Sequence, residues 1–156
     1  MSDNIFFSKE FKENLHKYEE ARNNNSSVFL EPGQFTDIAE YYHLHGDLKA
    51  ALEVIDDALN IFPGATEPLA FKARVYILVH HDVDKAMGCV DMIADKQDLE
   101  YFYIVAEIMI VDDRIEDAEK YLEAKEQTID EEDLEDYYLD VASLFADYEN
   151  YDLAER

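Results

Sequence analysis

Apolar residues recur at three- and four-residue spacing along most of the chain, which predicts helices throughout. Residues 5–22 set Phe7, Phe11, Leu15 and Tyr18 on one face and Lys9, Glu10, Lys12, Glu13 and Glu20 on the other, the mark of an amphipathic helix. The polar run at 23–27, NNNSS, reads as a loop. Pro32 follows at a first helical turn, where its missing N–H costs nothing. From Phe35 to Pro63 the pattern predicts two helices around a turn at Gly46, with Asp47 capping the second and Pro63 and Gly64 stopping it. Thr66 opens a further helix through about Val79, with Pro68 in its first turn. A polar turn, HHDVD, leads to a helix around Ala86, Val90 and Ile93 that is expected to end near Asp95. From Asp98 the run LEYFYIVAEIMIV is apolar on nearly every face, as in a helix covered on both sides, and Asp112 and Asp113 make the turn into IEDAEKYLEAKEQ. The last pattern, EEDLEDYYLDVASLFADY, is read as a helix closed by a turn at Glu149 and Asn150, with another helix barely begun.

The hairpins repeat. Alanines that follow the turns, Ala51, Ala86, Ala118 and Ala154, are separated by 35, 32 and 36 residues. Alanines within the first helices, Ala39, Ala73, Ala106 and Ala142, form a second ladder. Two helices approach to van der Waals contact only where one side chain is small, and a single hairpin cannot bury its apolar face alone. The period divides the chain into units of about 32–65, 66–97, 98–131 and 132–156, the last incomplete, within one domain spanning 1–156.

With these residues the chain resembles the tetratricopeptide repeat family, whose unit is about 34 residues long. In the first unit Phe35, Ile38 and Ala39 stand for the family's Trp, Leu and Gly, and Tyr42, Ala51, Ala58 and Pro63 match its pattern. The second unit keeps Ala73, Tyr76 and Ala86 but has His80 and His81 for the turn glycine and one residue more. The third keeps Phe102, Val105, Ala106 and Ala118, and the fourth Tyr138, Val141, Ala142, Phe145 and Ala154. Half-a-TPR-like and Sel1-like repeats fit the period less well. The resemblance implies an all-α fold, a right-handed α-solenoid of antiparallel helix pairs. It also implies a concave groove lined by the first helices, which in this family takes extended peptides or partner helices. Carried over by position, that face shows Thr36, Glu40, His43 and Leu44, then Glu67, Ala70, Arg74, Ile77 and Leu78. It continues with Glu100, Tyr103, Glu107, Ile110 and Val111, then Leu139, Ser143, Ala146 and Asp147. Of these, Glu40, His43, Glu67, Arg74, Glu100, Tyr103, Glu107 and Ser143 are the candidate binding residues. Some members clamp a terminal carboxylate with several Lys, Arg and Asn residues; this face offers Arg74 alone. Its glutamates are read first as solvated surface.

Composition narrows the partner. Thirteen basic residues against 38 acidic ones give a net charge of −25. Too few cations are present to displace counterions from nucleic acid or to hold an anionic membrane. A basic or amphipathic protein segment is the partner that the face would suit. No apolar run reaches the roughly 18 residues of a membrane span, and no secretory leader is visible, so a cytoplasmic protein is expected. The single cysteine, Cys89, reads as a small buried side chain.

Catalytic and metal chemistry find little purchase. His43 and His45 are two residues apart and face different sides of a helix. His80, His81, Asp82 and Asp84 offer zinc-type ligands in one turn, without a second cluster to complete a site. No Gly-rich phosphate loop, zinc-protease motif or nucleophile elbow is present. The sequence therefore predicts a non-enzymatic protein–protein interaction scaffold without cofactor or metal. The alternative is a regulatory or oligomerisation module of a larger protein, with contacts made by the solenoid ends. The last unit is incomplete, so the face with Tyr138, Val141, Leu144 and Phe145 is expected to lack a cover within this sequence, either because the chain is a fragment of a longer protein or because that face pairs with another copy.

Overall fold

The computed structural model describes residues 5–155, with side chains through Glu149. All regular structure among these residues is helical: α1 (Lys9–Asn23), α2 (Pro32–Leu44), α3 (Leu48–Ile61), α4 (Thr66–Leu78), α5 (Val83–Asp91), α6 (Leu99–Val111), α7 (Ile115–Glu126), a 3-10 turn (Glu131–Asp133) and α8 (Leu134–Glu155). None of these helices is long and apolar enough to cross a membrane. The chain falls into two compact units, one through Lys72 and the other from Ala73.

In the first unit, α2 and α3 pack along each other and α1 packs on α2. The small residues predicted to permit close approach, Ala39, Ala51 and Ala58, are fully buried among Phe35, Ile38, Val54 and Ile55. The turn at Gly46 has φ 80°, a conformation that side chains resist. With it the Asp47 amide donates to the Tyr42 carbonyl at 2.9 Å, closing the helix end. Asp47 then caps α3 by accepting from the Ala50 amide at 3.0 Å.

Residues 5–8 do not join the first helix as expected. Ser8 is the N-cap of α1, accepting from the Phe11 amide at 3.1 Å, which leaves Phe7 exposed. The buried face of α1 is Phe11, Asn14, Tyr18 and Ala21.

In the second unit the ladders continue: Ala73, Ala86, Ala106 and Ala118 are all fully buried. The turns are made without glycine. His81 and Asp113 take φ 53° and 62°. The Arg114 amide reaches the Met109 carbonyl at 2.8 Å, five residues back, whereas the Asp82 amide reaches Tyr76, six back, at 2.9 Å. The longer reach accommodates the extra residue of the His80–His81 turn. Helix α6 buries seven consecutive residues, Phe102 to Ile108, and α5, α7 and α8 all pack against it.

The end of the chain departs from the pattern. No turn forms at Glu149 and Asn150; α8 runs unbroken for 22 residues, because neither residue is a glycine or proline that would stop it. Its buried face is Tyr137, Leu144 and Tyr148, with Val141 and Phe145 packed beside them. Ala142 and Tyr138 are exposed, so α8 is rotated from the register that the ladder predicted. The apolar face expected to lie uncovered is largely covered by α6 and α7. Ala154 lies outside the described side chains.

Candidate functional site

An open pocket of about 340 Å³ lies in the second unit, formed by α4, α6 and α8. Helix α6 contributes Glu100, Tyr103 and Glu107, three and four residues apart and hence on one face. Helix α8 contributes Asp140, Ser143, Leu144, Asp147 and Tyr148 by the same spacing, and α4 contributes Arg74. Five of the eight candidate residues, Arg74, Glu100, Tyr103, Glu107 and Ser143, therefore share one cavity.

Arg74 organises its floor. Nε donates to Glu107 Oε1 at 3.0 Å and Nη2 to Glu107 Oε2 at 2.6 Å, a bidentate pair. Nη2 also lies 2.5 Å from Glu100 Oε1. Burial by itself would lower the guanidinium pKa, but the carboxylates of Glu107 and Glu100 outweigh it and hold the group more firmly charged than usual. Tyr148 completes the set, its hydroxyl donating to Glu107 Oε1 at 3.0 Å. Glu107 was expected on an open face, yet its side chain is only 9% exposed. A carboxylate so buried is stable only because cation and hydroxyl partners replace its water.

Tyr103 is likewise buried. Its hydroxyl donates to Asp140 Oδ2 at 2.9 Å, and its ring stacks on Tyr137 with centroids 6.0 Å apart. Burial, then the hydrogen bond and charge of Asp140, push its pKa upward. Tyr137 donates in turn to the Leu122 carbonyl at 2.5 Å, and its own pKa is pushed up to about 12 by burial and by Glu126. These contacts pin α8 on α6 and α7, while Asp140, Ser143 and Asp147 face solvent.

The other candidates lie in the first unit and are not among the residues that line this pocket. Glu67 and His43 are exposed, with the His43 ring edge-on to Phe71 at 6.1 Å; Glu40 is half-buried. Thr36, Ala70 and Ile77, carried over to the open face, are buried instead. Thr36 Oγ1 donates back to the Pro32 carbonyl at 2.9 Å, a bond within the helix that spends its hydroxyl.

Comparison with family models, curated proteins and solved structures returns no match. The likeness to tetratricopeptide repeats thus rests on the residues of this chain.

Sequence reasoning missed two features. A second pocket of about 410 Å³ in the first unit is bordered by Tyr18, Arg22, Asn25, Phe35, Asp57 and Ile61. Arg22 and Tyr18 there both reach Asp57, at 3.0 and 2.7 Å. Asp130, Glu132 and Asp133 bring carboxylates within 4.8 Å of one another at the start of α8, all exposed. The His80 turn does not gather metal ligands; Asp82 caps α5 by accepting from the Lys85 amide at 3.0 Å.

Proposed function

We propose that this chain is a non-enzymatic interaction scaffold of the tetratricopeptide type. Its helix pairs would run antiparallel and wind to the right, taking a segment of a partner protein into a groove floored by the Arg74 pocket. The observation that carries this reading is the pocket itself. Residues carried over from three successive first helices fall on a single cavity, and its base is held by a bidentate ion pair and two tyrosine hydroxyls. The full burial of six ladder alanines, Ala39, Ala51, Ala73, Ala86, Ala106 and Ala118, supports the repeat packing that would form such a groove.

Ser143, exposed on the pocket wall, is the position that tests it. A photo-reactive residue at Ser143 should cross-link a discrete partner from extract of the source cells, whereas one at the exposed Glu116 of α7 should not. Ser143→Lys, which fills the cavity without touching its base, should abolish competition for that partner at unchanged melting temperature. Equal cross-linking from both positions would remove the groove from the reading.

The oligomerisation alternative draws on Tyr138 and Leu139, exposed on the outer side of α8. A sedimentation coefficient independent of concentration would dismiss it.

A further inference from the structure

We infer that α1 is a removable cover, and that the face of α2 and α3 beneath it takes an amphipathic helix of a partner protein. This seat lies wholly in the first unit and does not depend on the Arg74 pocket.

Helix α1 holds its place with few groups. The contact between α2 and α3 is far more extensive than the one α1 makes with either. Of the 15 residues of α1 only Phe11, Asn14, Tyr18 and Ala21 are buried. The Phe11 ring lies 5.6 Å from that of Tyr41, and Tyr18 meets Phe35 edge-on at 6.3 Å. The ties from Arg22 to Glu53 and Asp57 are exposed ion pairs, which contribute little. Buried Leu30 fixes the far end of the connection to α2, whereas Phe29 beside it is fully exposed. The hinge is therefore 24–29, six residues without helix that reach roughly 20 Å when extended.

Two of the four buried positions underfill the seat. Asn14 is only 8% exposed, yet its amide has no hydrogen-bond partner among the described residues. No fully buried polar atom among these residues lacks a partner, so that amide sits at the wet edge of the interface. A leucine there would bury its whole length and favour the helix more than asparagine does. Ala21 borders the open cleft of about 410 Å³ that separates the end of α1 from Asp57, Asn60 and Ile61 of α3. Well-packed interfaces leave no such gap.

A cover that gives way must bind less well than what replaces it. The seat defines that replacement. It is a helix with aromatic side chains at the places of Phe11 and Tyr18, an aliphatic one at that of Asn14, and one larger than alanine at that of Ala21. This is a single helix face, as in groove recognition of helices. At the place of Arg22 it carries a cation toward Glu53 and Asp57, which a chain of net charge −25 favours.

Hydrogen exchange of the full chain in low denaturant tests the opening. Amides of α1 should exchange through an event that leaves α2 and α3 protected, and Asn14→Leu should slow that exchange about tenfold or more. Exchange of all three helices in one event would overturn the inference, as would an Asn14→Leu variant no slower than the native chain. The probe for the seat is a blocked peptide of residues 8–23 carrying Asn14→Leu. The full-chain variant Phe11→Ala with Tyr18→Ala loosens the resident helix, so it should bind this peptide at least tenfold more tightly than the native chain does. Adding Arg22→Glu to the peptide should weaken it. Equal affinity of the two chains would place the peptide elsewhere and overturn the seat. Exchange of α1 between copies of the native chain, seen as concentration-dependent dimers, would assign the seat to a second copy and overturn the partner.

Discussion

The two units tie an arginine to carboxylates and a tyrosine with the same groups in different surroundings. In the first, Arg22 reaches Glu53 at 2.8 Å and Asp57 at 3.0 Å, and Tyr18 donates to Asp57 at 2.7 Å. In the second, Arg74 reaches Glu107 at 2.6 Å and Glu100 at 2.5 Å, and Tyr148 donates to Glu107. The distances scarcely differ, but exposure does. Asp57 keeps 39% of its side-chain surface and Glu107 only 9%. Distance alone therefore predicts little about what each cluster contributes. The cost of breaking one depends on whether water can replace the lost partner.

Arginine removal tests this most severely. Arg74→Met leaves Glu107 buried with no counter-ion and should cost about 3–5 kcal/mol, read as a lower denaturation midpoint with unchanged slope. A loss under about 1 kcal/mol would mean that the carboxylate rehydrates freely and that the contrast between clusters is false. The tyrosines give a smaller version of the same test. Tyr148→Phe should cost about 1–3 kcal/mol because Glu107 cannot recruit water. Tyr18→Phe should cost about 1 kcal/mol or less, since Asp57 can recruit it, although both rings are buried. Equal losses would shift the explanation from the acceptor's hydration to the ring's own packing.

How much of this was legible follows from where the signals lie. Ala39, Ala51, Ala73, Ala86, Ala106 and Ala118 recur because helix contact demands small residues, and all are fully buried. The pocket was legible through the same ladder. Arg74 follows Ala73 and Glu107 follows Ala106, about one repeat apart, whereas Ser143 reaches the same cavity from α8 although its ladder alanine, Ala142, is exposed. Which of them would be buried was harder to read, although Glu107 alone interrupts the apolar run from Tyr101 to Val111 and so called for a partner. The register of α8 was ambiguous because Tyr137, Val141, Leu144 and Tyr148 compete with Tyr138, Val141, Ala142 and Phe145 for the core. Packing on α6 and the Tyr137–Leu122 bond settle it for the first set. The second pocket drew on Arg22 and Asp57, 35 residues apart, at positions to which the repeat pattern assigns nothing.

Carboxylates without a cation sharpen the contrast from the other side. Asp37, in the first unit, has its pKa raised by burial and then by the charges of Glu10 and Glu67. A raised folded-state value means that the native state favours the protonated form, so the destabilisation is absent below the ordinary aspartate range and fully present at neutrality. Asp37→Asn should therefore raise the melting temperature at pH 7, and the gain should vanish as pH falls to the ordinary aspartate range. A gain that persists there would make it a packing effect.

The smallest expected effect is the most discriminating. Arg22→Met should cost about 0–1 kcal/mol, because both carboxylates it leaves behind remain hydrated. Salt separates that loss from the loss at Arg74. The Arg22 cluster lies in solvent, so in about 1 M salt, where screening acts within roughly 3 Å, the cost of Arg22→Met should fall toward zero. Glu107 is shielded from ions by the same burial that shields it from water, so the cost of Arg74→Met should persist. A salt dependence shared by both variants would make their difference one of degree, with Arg74 a stronger surface pair. Loss at Arg22 alone would establish that the second unit is built around a buried charge that its pocket cannot do without.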